Sequence, residues 1–170
     1  YDVIDTLINS AGLWMAGDLS KVEDKQFKSM NELERIHKVI NTNLFAPIAL
    51  MRLVTPIMQK QGYGQIINVN SQSGVKTEEP FPVYNASKTG GTAFRKAIQA
   101  DLGSVNVRIT DVCPGLIDTD FYLHADNELP AAVRALGLSA KDVADVVKYV
   151  FELPEHITIP SIELMSMSSI

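Results

Sequence analysis

Tyr84-Asn85-Ala86-Ser87-Lys88 places a phenol and an ammonium four residues apart. On a helix that spacing stacks both side chains on one face. A cation beside a phenol favours the phenolate and draws its pKa down from a reference of about 10 toward working pH, as a general acid/base requires. Ser71 stands upstream, just past an apolar, β-branched run. A hydroxyl there has the reach to donate to a carbonyl oxygen while Tyr84 moves the proton; Ser73 is the rival, and loop serines often satisfy backbone groups instead. Asn43 falls inside a helical pattern although asparagine is a poor helix former. Two readings of it stand: an amide that opens the helix and holds a relay water, or a solvent-facing polar residue. Pro114-Gly115-Leu116-Ile117-Asp118-Thr119 is either a plain turn or a sharp strand exit whose hydroxyl grips an amide ligand. Asp118 and Asp120 have no third metal ligand beside them and read as solvated loop carboxylates.

Stepping outward from these residues, the chain alternates strand and helix patterns. Residues 3–8 form a short β-branched run that ends in the turn cluster Asn9-Ser10-Ala11-Gly12. A polar stretch, 18–31, follows. From Glu32 a helical period runs through Leu33, Ile36, Val39, Ile40, Leu44 and Ile48; a kink is expected at Pro47 and an end at Pro56. Residues 65–70 form a second buried strand, introduced by Gly62-Tyr63-Gly64. Ala86, Ala93, Ala97 and Leu102 mark a second helix that carries Gly90-Gly91, free to pack closely on a partner or on its own sheet. Val105, Val107 and Ile109 begin a third strand. Ser139-Ala140-Lys141-Asp142 is a capping box for a third helix with Val143, Val146, Val147 and Val150 inward. Ile157, Ile159, Ile162 and Leu164 suggest a last strand. Alternation of this kind predicts an α/β fold, a parallel sheet with helices on both faces, and ligands bind such sheets beyond the carboxyl ends of the strands.

Composition narrows the function classes. With 170 residues the chain has the size of one domain, and 46% hydrophobic content is globular. A net charge of −5 argues against a nucleic-acid partner. One cysteine excludes an internal disulfide framework or a multi-thiolate metal site. The longest apolar run, 44–51, stops at Arg52, well short of a membrane span, and no leader pattern opens the chain; a cytoplasmic setting is expected.

Taken in order, Asn-Ser-Ala-Gly after a strand, Asn-Leu-x-Ala in a helix, a serine, Tyr-x-x-x-Lys and Pro-Gly-x-Ile-x-Thr resemble the short-chain dehydrogenase/reductase family. The resemblance runs from Val3 to at least Asp120. It implies a Rossmann-like sheet and an NAD- or NADP-dependent oxidoreductase that moves hydride between the nicotinamide and a small carbonyl or alcohol substrate. It implies that Asn43, Ser71, Tyr84 and Lys88 are the catalytic tetrad: Tyr84 the acid/base, Ser71 the carbonyl donor, Asn43 the anchor of a relay water. Lys88 would bind the nicotinamide ribose and lower the Tyr84 pKa. Asn9, Ala11 and Gly12 would support the sheet and approach the cofactor; Pro114, Gly115, Ile117 and Thr119 would hold the carboxamide. A homo-oligomer is the family expectation.

The sequence also departs from the family. Ser10 replaces an asparagine, and no glycine cluster matches the Gly-rich phosphate loop. The family's first strands would precede Tyr1, so residues 1–170 are expected to be one incomplete domain, its carboxyl-terminal two-thirds. Intact tetrad residues favour an enzyme; the missing loop favours a catalytically silent binding or assembly module. Trp14, Met15, Phe81, Phe121, Tyr122 and Leu123 follow strand ends and either line an apolar pocket or are exposed loop residues.

Overall fold

The structure is a computed structural model and describes residues 2–15, 32–77, 81–102, 105–122 and 130–169. Its backbone follows the alternation of the sequence: β1 (Thr6–Asn9), α1 (Glu32–Ile40), a five-residue π turn (Asn41–Phe45), α2 (Ala46–Gln61), β2 (Tyr63–Val69), α3 (Pro82–Leu102) and β3 (Asn106–Pro114). A two-residue strand β4 (Ile117–Asp118), the short helix α4 (Ala131–Arg134), β5 (Leu138–Ser139), α5 (Ala140–Phe151) and β6 (Ser161–Leu164) complete it. The main sheet has the order β1-β2-β3-β6, every pair parallel.

Register assigns each strand residue a face. Leu7, Ile66 and Ile109 lie side by side across β1, β2 and β3. Ile66 and Ile109 pack on Met51, Val54 and Met58 of α2 and Leu102 of α3. On the opposite face Ile67 and Val112 meet Val143 and Val150 of α5. Each such buried side chain contributes about 1.5–3 kcal/mol, and the central strands are covered on both sides, hence their unbroken apolar runs. The Ser139 hydroxyl accepts from the Asp142 amide at 3.2 Å and the Asp142 carboxylate from the Ser139 amide at 2.7 Å, the capping box read from the sequence.

Several expectations are corrected. α2 passes through Pro56 and ends at Gly62, whose φ of +83° suits a residue without a Cβ. Pro56 is exposed, while Met51, Val54 and Met58 hold the helix to the sheet. The disturbance expected at Pro47 falls just before it, as the π turn. The last strand starts only at Ser161: Pro160 has no N–H for a ladder, which leaves Ile157 and Ile159 outside. β1 starts at Thr6, because the Gln61 side chain takes both the N–H and the C=O of Ile4. Gly90 serves the chain's own packing: a Cβ there would stand 3.1 Å from Leu44, so its absence lets α3 close on the π turn. The 18–31 segment and Leu123 lie outside the described residues.

Candidate active site

Because the strands are parallel, their carboxyl ends share one rim. A cavity of about 890 Å³ opens there, lined by Gly12, Ser71, Tyr84, Lys88, Ile117 and Thr119 among others. Pro82 opens α3, a position where a missing N–H is harmless, so Tyr84 and Lys88 sit on one continuous helix. The Lys88 ammonium lies 5.7 Å from the Tyr84 ring centroid. It donates to the carbonyls of Asn70 at 3.1 Å and Val69 at 3.3 Å, which ties α3 to the end of β2. Burial pushes its pKa down to about 8, with nearby Cys113 and Asp111 opposing the fall.

Ser71 and Ser73 both line the cavity, and they differ in what their groups do. The Ser71 hydroxyl oxygen accepts from the Ser73 amide at 3.1 Å, capping a short 3₁₀ turn. That bond occupies a lone pair and leaves the Ser71 O–H as a donor. Asn43 is buried in the π turn rather than facing solvent. Its Oδ1 accepts from the Leu13 amide at 2.7 Å, and its Nδ2 donates to the Leu13 carbonyl at 2.7 Å and the Ser87 hydroxyl at 3.1 Å. Ser87 in turn donates to the Tyr84 carbonyl at 2.7 Å. Both Nδ2 hydrogens are therefore engaged. Pro47, the i+4 residue of Asn43, has no N–H to offer, in keeping with the wider i+5 spacing of the π turn.

Gly12 lines the cavity, whereas Asn9 turns its side chain into the sheet. The Asn9 amide donates to Asn68 at 2.8 Å, and Asn68 donates to Asp111 at 2.9 Å. Arg95 of α3 closes the row with its Nε 2.9 Å from the Asp111 carboxylate. Ala11 is exposed beside Gly12. Pro114, Gly115, Ile117 and Thr119 line the opposite wall. That wall is clipped by β4 on β5, Ile117 opposite Leu138 and Asp118 opposite Ser139, and by Arg134, which donates to the Thr119 carbonyl at 3.4 Å. Asp118 and Asp120 are exposed, and among the described residues no cluster of carboxylates, thiols or imidazoles fits a metal.

The family model for short chain dehydrogenases matches residues 1–129. The chain belongs to the short-chain dehydrogenase family. A probable NADP-dependent dehydrogenase of Haemophilus influenzae is 32% identical over 97% of this chain and 65% of its own length. Sulfoacetaldehyde reductase 2 of Chromohalobacter salexigens is 33% identical over 95% of this chain and 64% of its own. Among solved structures, the closed form of serine dehydrogenase complexed with NADP+ is 29% identical and superposes with a TM-score of 0.82, covering 95% of this chain and 64% of that one. The chain thus spans just under two thirds of these relatives.

Within this family frame, sequence reasoning missed the clip on the 114–119 wall, because two-residue strands carry no periodicity. It also missed Gln72, whose Oε1 would stand 3.3 Å from a Cβ at Gly115. Of the six apolar candidates, Trp14, Phe81, Phe121 and Tyr122 line the cavity. Met15 does not: it packs with Val39 and Val83 behind α3. Among the described residues no helix is long and apolar enough to cross a membrane.

Proposed function

We propose that the protein is an NAD- or NADP-dependent oxidoreductase acting on a small carbonyl or alcohol substrate, with Tyr84 as its general acid/base. The observation that carries this reading is that Ser71, Tyr84 and Lys88, from two different elements, line one cavity at the carboxyl rim of a parallel sheet. The nicotinamide half of the cofactor fits this rim. At Gly12 a Cβ would stand 3.6 Å from Phe121, 3.7 Å from the Asn43 Oδ1 and 3.9 Å from the Lys88 Nζ, so a larger side chain would fill the space beside the ammonium. When bound, the nicotinamide supplies or accepts the hydride.

The chain's own residues handle the proton and the orientation. In reduction the substrate carbon gains the hydride and its oxygen gains the proton held by Tyr84; oxidation reverses both. Ser71 donates its free O–H to the same oxygen and stabilises the charge that develops there. Lys88 favours the Tyr84 phenolate and reaches the ribose hydroxyls. Asn43, buried in the π turn, anchors the relay water. Pro114, Gly115, Ile117 and Thr119 hold the carboxamide, and Asn9, Ala11 and Gly12 keep the facing loop against the sheet. The names of the relatives, two of which specify NADP, support the cofactor class.

The same reading treats residues 1–170 as one Rossmann-like domain, cytoplasmic and assembled with further copies of itself. Exposed Leu33, Phe45, Leu50 and Leu53 along α1, the π turn and α2 support assembly. Following nicotinamide absorbance of the full-length protein with a panel of aldehydes, ketones and alcohols tests the activity. Substrate-dependent change with NADH, NADPH or their oxidised forms is expected. Tight nucleotide binding without turnover of any carbonyl or alcohol would instead support the silent module.

A further inference from the structure

The cavity rim next to Tyr84 is aromatic. Trp14 lies 5.3 Å from Phe81 and 5.1 Å from Tyr122, centroid to centroid, and Phe121 lies 5.4 Å from Tyr122 and 6.4 Å from Tyr84 itself. These rings come from three separate segments: the loop after β1, the start of α3, and the turn after β4. Three chain segments converging on one aromatic cluster make a built wall around the phenol, not isolated loop residues. Apart from the Lys88 ammonium, the remaining described side chains of the lining are aliphatic, hydroxyl or amide.

Charge is the second observation. Among the described lining residues Lys88 alone is charged. Its ammonium already donates to two backbone carbonyls and faces the Tyr84 ring. A carboxylate, sulfonate or phosphate on the substrate would lose water against ring faces that carry negative potential, and among the described lining residues only Lys88, already held by two carbonyls, carries a charge to meet it. Among the described lining residues a zwitterionic amino acid would also find no acidic partner for its ammonium.

We infer that the substrate is an uncharged carbonyl compound or alcohol carrying an aromatic or bulky aliphatic group, seated against Trp14, Phe81, Phe121 and Tyr122. The inference rests on the oxidoreductase reading of the same cavity and assigns these four residues the specificity of that site.

The test separates the two readings by measuring binding apart from turnover. Ligand-observed NMR on the full-length protein without nucleotide compares benzyl alcohol with 4-(hydroxymethyl)benzoate, which differ by one carboxylate. Benzyl alcohol should bind about tenfold or more tightly. Trp14→Ala should weaken it. Phe81→Arg, at the half-buried start of α3, should narrow or reverse the preference and guards against a misfolded Trp14 variant. Equal or tighter binding of the carboxylate, or a preference that Phe81→Arg leaves unchanged, would overturn the inference. Preference for the neutral alcohol together with full turnover in Tyr84→Phe would retire the proton-transfer reading and leave this one standing. Preference for the carboxylate with Tyr84-dependent turnover would do the reverse.

Discussion

Lys88 is a buried cation at the cavity wall, and its charge has a pH limit. With its pKa pushed down to about 8 by burial, the ammonium is present below that pH and lost above it. If Tyr84 is the base of alcohol oxidation, as proposed, kcat/KM rises through the phenol's pKa. If the ammonium lowers that pKa, the rise should fall below the phenol's ordinary value of about 10. Replacing Lys88 by Met removes the charge, and the rise should move up by about one unit or more. The pH profile of alcohol oxidation in both proteins checks this; a rise at the same pH in each would show that Lys88 does not act on Tyr84. Of this residue pair, the i, i+4 spacing was legible in the sequence. The burial and the two carbonyls that receive the ammonium were not, because they come from Val69 at the end of β2 and Asn70 just after it.

At the scale of elements, α3 must hold its height over the sheet for Tyr84 to meet the rim. The buried row Asn9–Asn68–Asp111 crosses three strands in register and ends on Arg95 of α3. Burial raises the Asp111 pKa, while Asn68 and Arg95 favour its charged form. Arg95→Met leaves that carboxylate without its cation and should destabilise the fold by about 3–5 kcal/mol, read as a lower urea midpoint. The double variant Arg95→Met with Asp111→Leu should recover much of the loss, since neither buried charge remains. Failure of the single variant to shift the midpoint would remove the row from the account. None of this pairing was readable along the chain: Asn9, Asn68, Arg95 and Asp111 become neighbours only through the sheet register. By contrast the capping box at Ser139 and the helical run before Asn43 were legible, because both depend on residues close in sequence. Pro56 misled for the opposite reason, since tertiary burial of Met51, Val54 and Met58 outweighs a local breaker.

For the whole molecule, apolar runs interleaved with helical periods gave away the parallel sheet, and a parallel sheet has one rim where ligands gather. The motif order then named the family, to which the chain belongs over most of its length. What the order of motifs could not supply was the aromatic enclosure around Tyr84, assembled from Trp14, Phe81, Phe121 and Tyr122 across distant segments. The central claim is that Tyr84 moves the proton. Its most direct test is steady-state carbonyl reduction by the full-length protein with Tyr84→Phe, alongside nucleotide binding by both forms. Only the phenolic hydroxyl is lost in that change, so nucleotide affinity should hold while kcat falls by about 10²–10⁴-fold. Turnover equal to the unmodified protein across the pH range, at equal nucleotide affinity, would contradict the account.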